Sequence, residues 1–170
     1  IFTCNVGDCR AVLIPEKDVS SIDLSFDFSA PNIYKGNQNG LSKCSNEIER
    51  IQMSGGKITT PTLNAGSRIQ AHHRVSLEPT RGFGDSIQKS TDPFTIAGII
   101  TCMPEICIIK NTGGALIIAC DGVFDQMSSL QASESVRCSL KKGSAKEACE
   151  NLLTACLKIV YDDKDNNKLS

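Results

Sequence analysis

The chain has 170 residues, one domain's worth, with 40% hydrophobic and 22% charged residues, the balance of a globular protein. Its net charge of -1 gives no electrostatic basis for binding nucleic acid or an anionic membrane surface. No apolar run approaches the length of a membrane span, and the start lacks a signal-peptide pattern.

The chain begins without Met, inside the strand-like run Ile1 to Val6, and is read as part of a longer domain. Phe2 to Val6 and Arg10 to Ile14 read as strands, with Gly7-Asp8 between them as a hairpin turn. Asp8 at such a tip tolerates turn geometry and can bond its own backbone. Val19 to Leu24 is a further short strand. From Phe26 to Ser45 the sequence is polar and rich in Asn, Gly and Ser, which predicts a loop. Asn46 to Gly56 predicts a short helix, with Asn46 as N-cap, Glu49 in a capping-box-like arrangement and Gly55-Gly56 as a left-handed stop. Glu47 and Arg50 fall on its solvated face.

Lys57 to Thr60 and Ile69 to Leu77 read as strands about a turn at Asn64-Ala65-Gly66. His72 and His73 are adjacent, so they face opposite sides of such a strand, and neither has a partner at metal-ligand spacing. Arg81-Gly-Phe-Gly-Asp85 lacks both the P-loop lysine and the three-glycine dinucleotide pattern, so it is not read as nucleotide-binding. Ser86 to Thr95 reads as a polar loop. Met103 to Lys110 leads into a strand joined through Asn111-Thr-Gly-Gly114 to the next one as a hairpin.

That next strand, from Ala115, is apolar on both faces and is expected to be buried on both. It ends in Asp121-Gly-Val-Phe-Asp125. Asp121 sits at the rim of the core, where an ionised carboxylate needs a cation or several donors. Asp125, one helical turn on, falls on the same side if the chain turns helical there. Two hard oxygen donors suit Mg²⁺ or Mn²⁺, and the competing reading is that Asp121 caps the helix that follows. Ser128-x-x-Gln131 and Ser144-x-x-Glu147 are capping-box signatures. After Ser144, Ala145, Ala148, Leu152, Ala155, Cys156 and Ile159 make one apolar helical stripe. Asp162, Asp163 and Asp165 then read as a solvated turn. Nine cysteines is an odd number with no C-x-x-C pair, which favours reduced thiols in the cytoplasm or nucleus and argues against zinc. Cys4, Cys102, Cys107 and Cys120 lie in strand-like runs and are expected to be buried.

The order of the pieces carries more than any one of them. Gly7-Asp8-Cys9-Arg10-Ala11-Val12-Leu13 is followed by Glu47-x-x-Arg50-Ile51 with Gly55-Gly56, then by Thr80-Arg81-Gly-Phe-Gly84-Asp85 and Pro104-Glu105-Ile106. Ala119-Cys-Asp121-Gly-Val-Phe-Asp125 and Asp165-Asn166 complete the series. This series closely resembles the C-terminal portion of the metal-dependent protein phosphatase 2C catalytic domain, over nearly all of residues 1–170. There the pieces read GDSRAVL, ExxRIxxxGG, SRxFGD, PE(V/I), A(C/S)DGxWD and DN.

The resemblance implies an α+β fold, a β-sandwich of two antiparallel sheets flanked by helices. It implies dephosphorylation of phosphoserine and phosphothreonine proteins by a metal-activated water, with no phosphoenzyme. By position, Asp121 and Asp165 match ligands of a binuclear Mg²⁺ or Mn²⁺ centre, and Asp8 and Asp125 match the carboxylates that, with Asp121, hold a further, weaker metal in many members. The implied partner is a phosphoprotein, with no nucleic acid and no membrane, and the chain is taken as a monomer. The family's N-terminal portion, with the phosphate-binding Arg, an acidic pair and Asp-Gly-His, has no counterpart in this sequence. Cys9 replaces the usual Ser, Phe28 stands for a His, and Glu78-Pro79 precedes Thr80-Arg81 where the family has Ala-Val. Residues 32–46 and 59–74 are longer than usual. A phosphatase-like binding module that has lost catalysis is the alternative of a different class.

Overall fold

A computed structural model describes residues 1–17, 20–38, 40–62, 66–70, 76–85 and 98–166. The strands are β1 (Phe2–Asn5), β2 (Arg10–Ile14), β3 (Ile22–Asp23), β4 (Lys57–Ile58), β5 (Ile69–Gln70), β6 (Ser76–Leu77), β7 (Glu105–Ile108) and β8 (Ala115–Ala119). The helices are α1 (Ala30–Gln38), α2 (Ser42–Met53), α3 (Asp121–Phe124), α4 (Ser129–Lys141) and α5 (Ala145–Asn166). The mixture of antiparallel sheets and helices agrees with the α+β expectation. The chain divides into two compact units, one of Ile1–Thr3, Cys9–Ser25 and Cys107–Ser170, the other of Cys4–Asp8 and Phe26–Ile106.

In the first unit β2 is the middle strand of an antiparallel sheet ordered β3-β2-β8, with Arg10 opposite Ala119, Val12 opposite Ile117 and Ile14 opposite Ala115. The pleat puts Val12, Ile14 and Ile117 on one face, where they pack with Val123, Phe124, Met127 and the inner stripes of α4 and α5. Each such aliphatic side chain removed from water contributes about 1.5–3 kcal/mol. Ala132 and Val136 supply the α4 stripe; Ala148, Leu152 and Cys156 supply that of α5, as the helical spacing predicts, although Ala145 lies outside it. Ser128 caps α4 through a complete capping box with Gln131, and Ser144 Oγ accepts from the Glu147 N–H at 3.1 Å.

Three expectations fail in this unit. β8 is not buried on both faces: Leu116 is 44% and Ile118 70% exposed, and its aliphatic run therefore has one dry face. β7 and β8 are not a hairpin, because β8 pairs with β2 while β7 pairs with β1. Gly114 permits the pairing with β2, since at φ +109 the start of β8 lies so close to it that a Cβ would be 2.0 Å from the Ile14 carbonyl oxygen. The acidic segment after Ile159 is not a turn either, for α5 runs on to Asn166.

In the second unit α1 and α2 occupy the stretch where a loop is expected from Phe26 to Ser45. The polar composition misleads there because few apolar residues suffice: Ala30 and Ile33 are fully buried, and Pro31 sits in the first turn, where its missing N–H costs nothing. Gly36 lets α2 approach, since a Cβ on it would lie 2.4 Å from Cys44 Sγ. Helix α2 starts earlier than the capping pattern indicates, at Ser42 after Leu41, so Asn46 and Glu49 are interior and cap nothing. Gly55 at φ +81 ends it as expected. Antiparallel β4, β5 and β6 complete this unit around Ile51, Ile69, Ile99 and Ile100. His72 and His73, Asn64-Ala65 of the expected turn and residues 86–97 lie outside the described residues.

The Gly7-Asp8 hairpin is not formed, because β1 pairs with β7 and β2 lies between β3 and β8. All nine cysteines are free thiols, but burial differs from expectation: Cys4, Cys102 and Cys120 are exposed, Cys107 is half-buried, and the buried pair is Cys44 and Cys156. Cys4 alternates outward with Phe2 along β1, and Cys102 and Cys120 fall outside the strands, before β7 and after β8.

Candidate functional site

In the first unit the backbone leaves β8 at Cys120, which is the extended N-cap, and enters α3 at Asp121. Asp121 Oδ1 accepts the N–H of Gly122 at 2.7 Å, and its carbonyl accepts the N–H of Asp125 at 2.8 Å. Asp121 is therefore the first helical residue rather than the cap. Buried Val123 and Phe124 anchor the turn from below. The Arg10 guanidinium lies 4.5 Å from the Phe124 ring centroid and donates to Ser129 Oγ at 3.0 Å. The Cys156 thiol of α5 donates to the Gly122 carbonyl at 3.4 Å. Asp121 and Asp125 are thus carried by a braced strand end, one turn apart and both exposed to water. Water and one N–H satisfy Asp121, so its charge does not by itself demand a cation. Asp165 lies in α5, near its C-terminal end.

Asp8 belongs to the second unit and is half-buried. It follows Gly7, whose φ of +124 favours glycine. The Gly7 carbonyl accepts two hydrogen bonds, from the Phe28 N–H at 2.9 Å and from Asn5 Nδ2 at 3.1 Å. Asn5 Nδ2 also donates to the Phe26 carbonyl at 2.8 Å. A Cβ at position 7 would lie 3.5 Å from the Arg81 carbonyl oxygen, an ordinary van der Waals separation.

Glu47 overturns its sequence assignment. It is 2% exposed, not on a solvated face. Arg81 grips it bidentately, with Nη2 2.7 Å from Oε2 and Nε 3.1 Å from Oε1. Arg50 Nη2 donates at 2.9 Å and Thr80 Oγ1 at 2.9 Å, both to Oε1. Each guanidinium has backbone acceptors too: Gly98, Ile99 and Thr80 for Arg50, and Met103 for Arg81. Arg81 also stacks over Phe28, 3.6 Å from the ring centroid. Burial alone would raise the Glu47 pKa, but hydrogen bonds from Arg81 and Arg50 and their positive charges outweigh it and hold the carboxyl below its usual range. Cys44 is pushed the other way, first by burial and then by the Glu47 charge. A signal for this cluster was present in the sequence: two of the family-like pieces contain Glu47 with Arg50 and the Thr80-Arg81 pair.

The donors fit a hard divalent cation in kind, since all are carboxylates. In number they are short. Asp121 and Asp125 are brought onto one turn, and among the described residues no group of three or more His, Cys, Asp or Glu is placed to hold a metal ion.

A family model described as protein phosphatase 2C matches residues 1–165. Protein phosphatase ppm-1.G of Caenorhabditis elegans is 31% identical over 163 residues, which is 92% of this chain and 28% of that relative. The probable protein phosphatase 2C 21 of Oryza sativa subsp. japonica is 31% identical over 92% of this chain and 41% of its own length. A serine-threonine phosphatase 2C of Toxoplasma gondii shares the fold, with a TM-score of 0.68 at 18% identity over 97% of this chain and 50% of that one. The chain spans at most half the length of these relatives.

Proposed function

The chain belongs to the protein phosphatase 2C family, and from that premise we propose that it is the C-terminal portion of one catalytic domain that hydrolyses phosphoserine and phosphothreonine in proteins. The observation that carries this reading is the family match over residues 1–165, a range that holds the family-like pieces as far as Asp165. The share of each relative that is covered supports the assignment to a portion of a domain. So does the outer face of β8, where Leu116 and Ile118 present the apolar surface that further segments of a sandwich would cover.

Asp121, Asp165, Asp8 and Asp125 are proposed as ligands of Mg²⁺ or Mn²⁺, completed by acidic residues of the remaining portion. Bound cations would supply a water of lowered pKa and neutralise charge on the phosphoryl group. The braced exit from β8 fixes where Asp121 and Asp125 present their oxygens. The half-buried arginines Arg50 and Arg81 are committed to Glu47 and to backbone carbonyls, so neither supplies phosphate binding in this reading. The substrate partner is a phosphoprotein and the protein is taken as a monomer. The odd cysteine number supports the cytoplasm or nucleus. Among the described residues no helix is long and apolar enough to cross a membrane.

The test is phosphopeptide hydrolysis by the full-length protein with and without Mn²⁺ or Mg²⁺. Activity should need the ion and fall by at least about a hundredfold in Asp121→Ala and in Asp165→Ala. Full activity in chelator, or unchanged turnover in Asp121→Ala, overturns the reading.

A further inference from the structure

We propose that Glu47, buried and remote in sequence, is a positioning residue that holds the Gly7-Asp8 turn in place and so sets the strength of divalent-cation binding. This rests on the reading of Asp8 as a metal ligand. Every link lies within the second unit.

The chain of contacts is short. Glu47 fixes Thr80 through its hydroxyl, at 2.9 Å, and fixes Arg81 through two hydrogen bonds. The Thr80 N–H donates to the Phe28 carbonyl at 2.7 Å, and the Arg81 guanidinium covers the Phe28 ring. The Phe28 N–H in turn donates to the Gly7 carbonyl at 2.9 Å, and the Arg81 carbonyl lies close enough that a Cβ at position 7 would meet it at 3.5 Å. Gly7 is therefore held through Phe28, whose own position is fixed by Thr80 and Arg81, both gripped by one carboxylate. Asp8 is the next residue, so a shift at Gly7 moves the Asp8 side chain directly. Groups hydrogen-bonded directly to a metal's ligands typically set its affinity by about 10–100-fold, and Glu47 acts on Asp8 through the backbone of Phe28 and Gly7, so the low end applies.

A purely structural role for Glu47 predicts something different. It would lower stability and leave the affinity of the folded protein for the ion unchanged. Pocket geometry gives no reason to expect the ion itself near Glu47, because its oxygens are already occupied by Arg81, Arg50 and Thr80.

The experiment is calorimetric titration of the full-length protein with Mn²⁺ alone, at a temperature where each variant is folded by circular dichroism. Glu47→Gln, which keeps shape and loses charge, should weaken Mn²⁺ binding about tenfold or more. Arg81→Lys, milder because it keeps the charge but loses the fork and the stacking, should weaken it in the same direction. Ile69→Ala, a core truncation in the same unit, is the control: it should lower Tm and leave Mn²⁺ affinity within about twofold. Wild-type affinity in both Glu47→Gln and Arg81→Lys overturns the inference, as does an equal loss in Ile69→Ala. Asp8→Asn separates the two levels. If it binds Mn²⁺ like the wild type, the assignment of Asp8 as a ligand has failed and the inference falls with it; if it binds weakly while Glu47→Gln binds normally, only the inference fails.

Discussion

Replacing Glu47 by Gln should cost about 3 kcal/mol of folding stability near neutral pH, and the cost should shrink in acid. Removing one partner of a buried ion pair typically costs about 3–5 kcal/mol, because the partner's charge is left uncompensated. Here two guanidinium groups lose their carboxylate, but their side chains keep 18% and 16% exposure and several carbonyl acceptors, which favours the low end. The sign with pH follows from the depressed Glu47 pKa. As pH falls, the unfolded chain takes up this proton first. The stabilisation is thus complete above the ordinary glutamate range and is lost as pH falls through the lower, folded value. The amide of the Glu47→Gln variant cannot titrate, so that variant lacks this contribution to the acid slope. Urea unfolding of wild type and Glu47→Gln, followed by circular dichroism at about pH 7 and at successive steps below 4.5, measures the difference directly. A loss below about 1 kcal/mol would mean that the cluster is no tighter than a surface ion pair. A loss that grows in acid would refute the protonation argument itself.

Gly114→Ala should be among the most damaging single-methyl changes, since the new Cβ meets a backbone oxygen at 2.0 Å and sits at φ +109; a thermal melt should show at least about 2 kcal/mol lost. Gly36→Ala meets a side chain instead, Cys44 Sγ at 2.4 Å, so it should cost about 1–3 kcal/mol and be partly relieved in the double variant Gly36→Ala/Cys44→Ala. Residues 1–170 expressed alone should show no metal-dependent phosphopeptide hydrolysis and should bind an apolar dye through the open face of β8. Turnover by that segment, abolished by Asp121→Ala, would show that its own carboxylates suffice.

Most of the long elements were legible because their signals are local. β2 is set by five residues between a glycine-containing turn and Pro15, and α4 and α5 by capping serines followed by periodic apolar residues. Pairing was not legible. Both expected hairpins are formally plausible from turn residues, and both lose to a non-local partner, β7 for β1 and β2 for β8. In the second case Gly114 allows a close approach to β2 that no spacing rule reveals. Helix α1 was hidden because its buried face needs only Ala30, Ile33 and Gly36, too few to leave a periodic stripe.

The same asymmetry separates Asp121 from Glu47. Asp121 stands out in sequence because an apolar strand stops at it, and the structure carries it at a braced, exposed strand end. Glu47 reads as an ordinary helix-surface carboxylate beside Arg50 at i+3, a spacing that fits a solvated pair. Burial comes instead from Arg81, 34 residues away, and from Thr80, whose hydroxyl completes the shell. A carboxylate can be taken out of water only where several fixed donors replace it, and those donors are assembled by tertiary contacts alone. Charged residues shared between distant motif pieces are therefore candidates for one buried cluster even when each looks exposed in its own element. In this chain the pieces holding Glu47, Arg50 and Arg81 meet that criterion, and the cluster they form leads to the backbone of Gly7, beside Asp8.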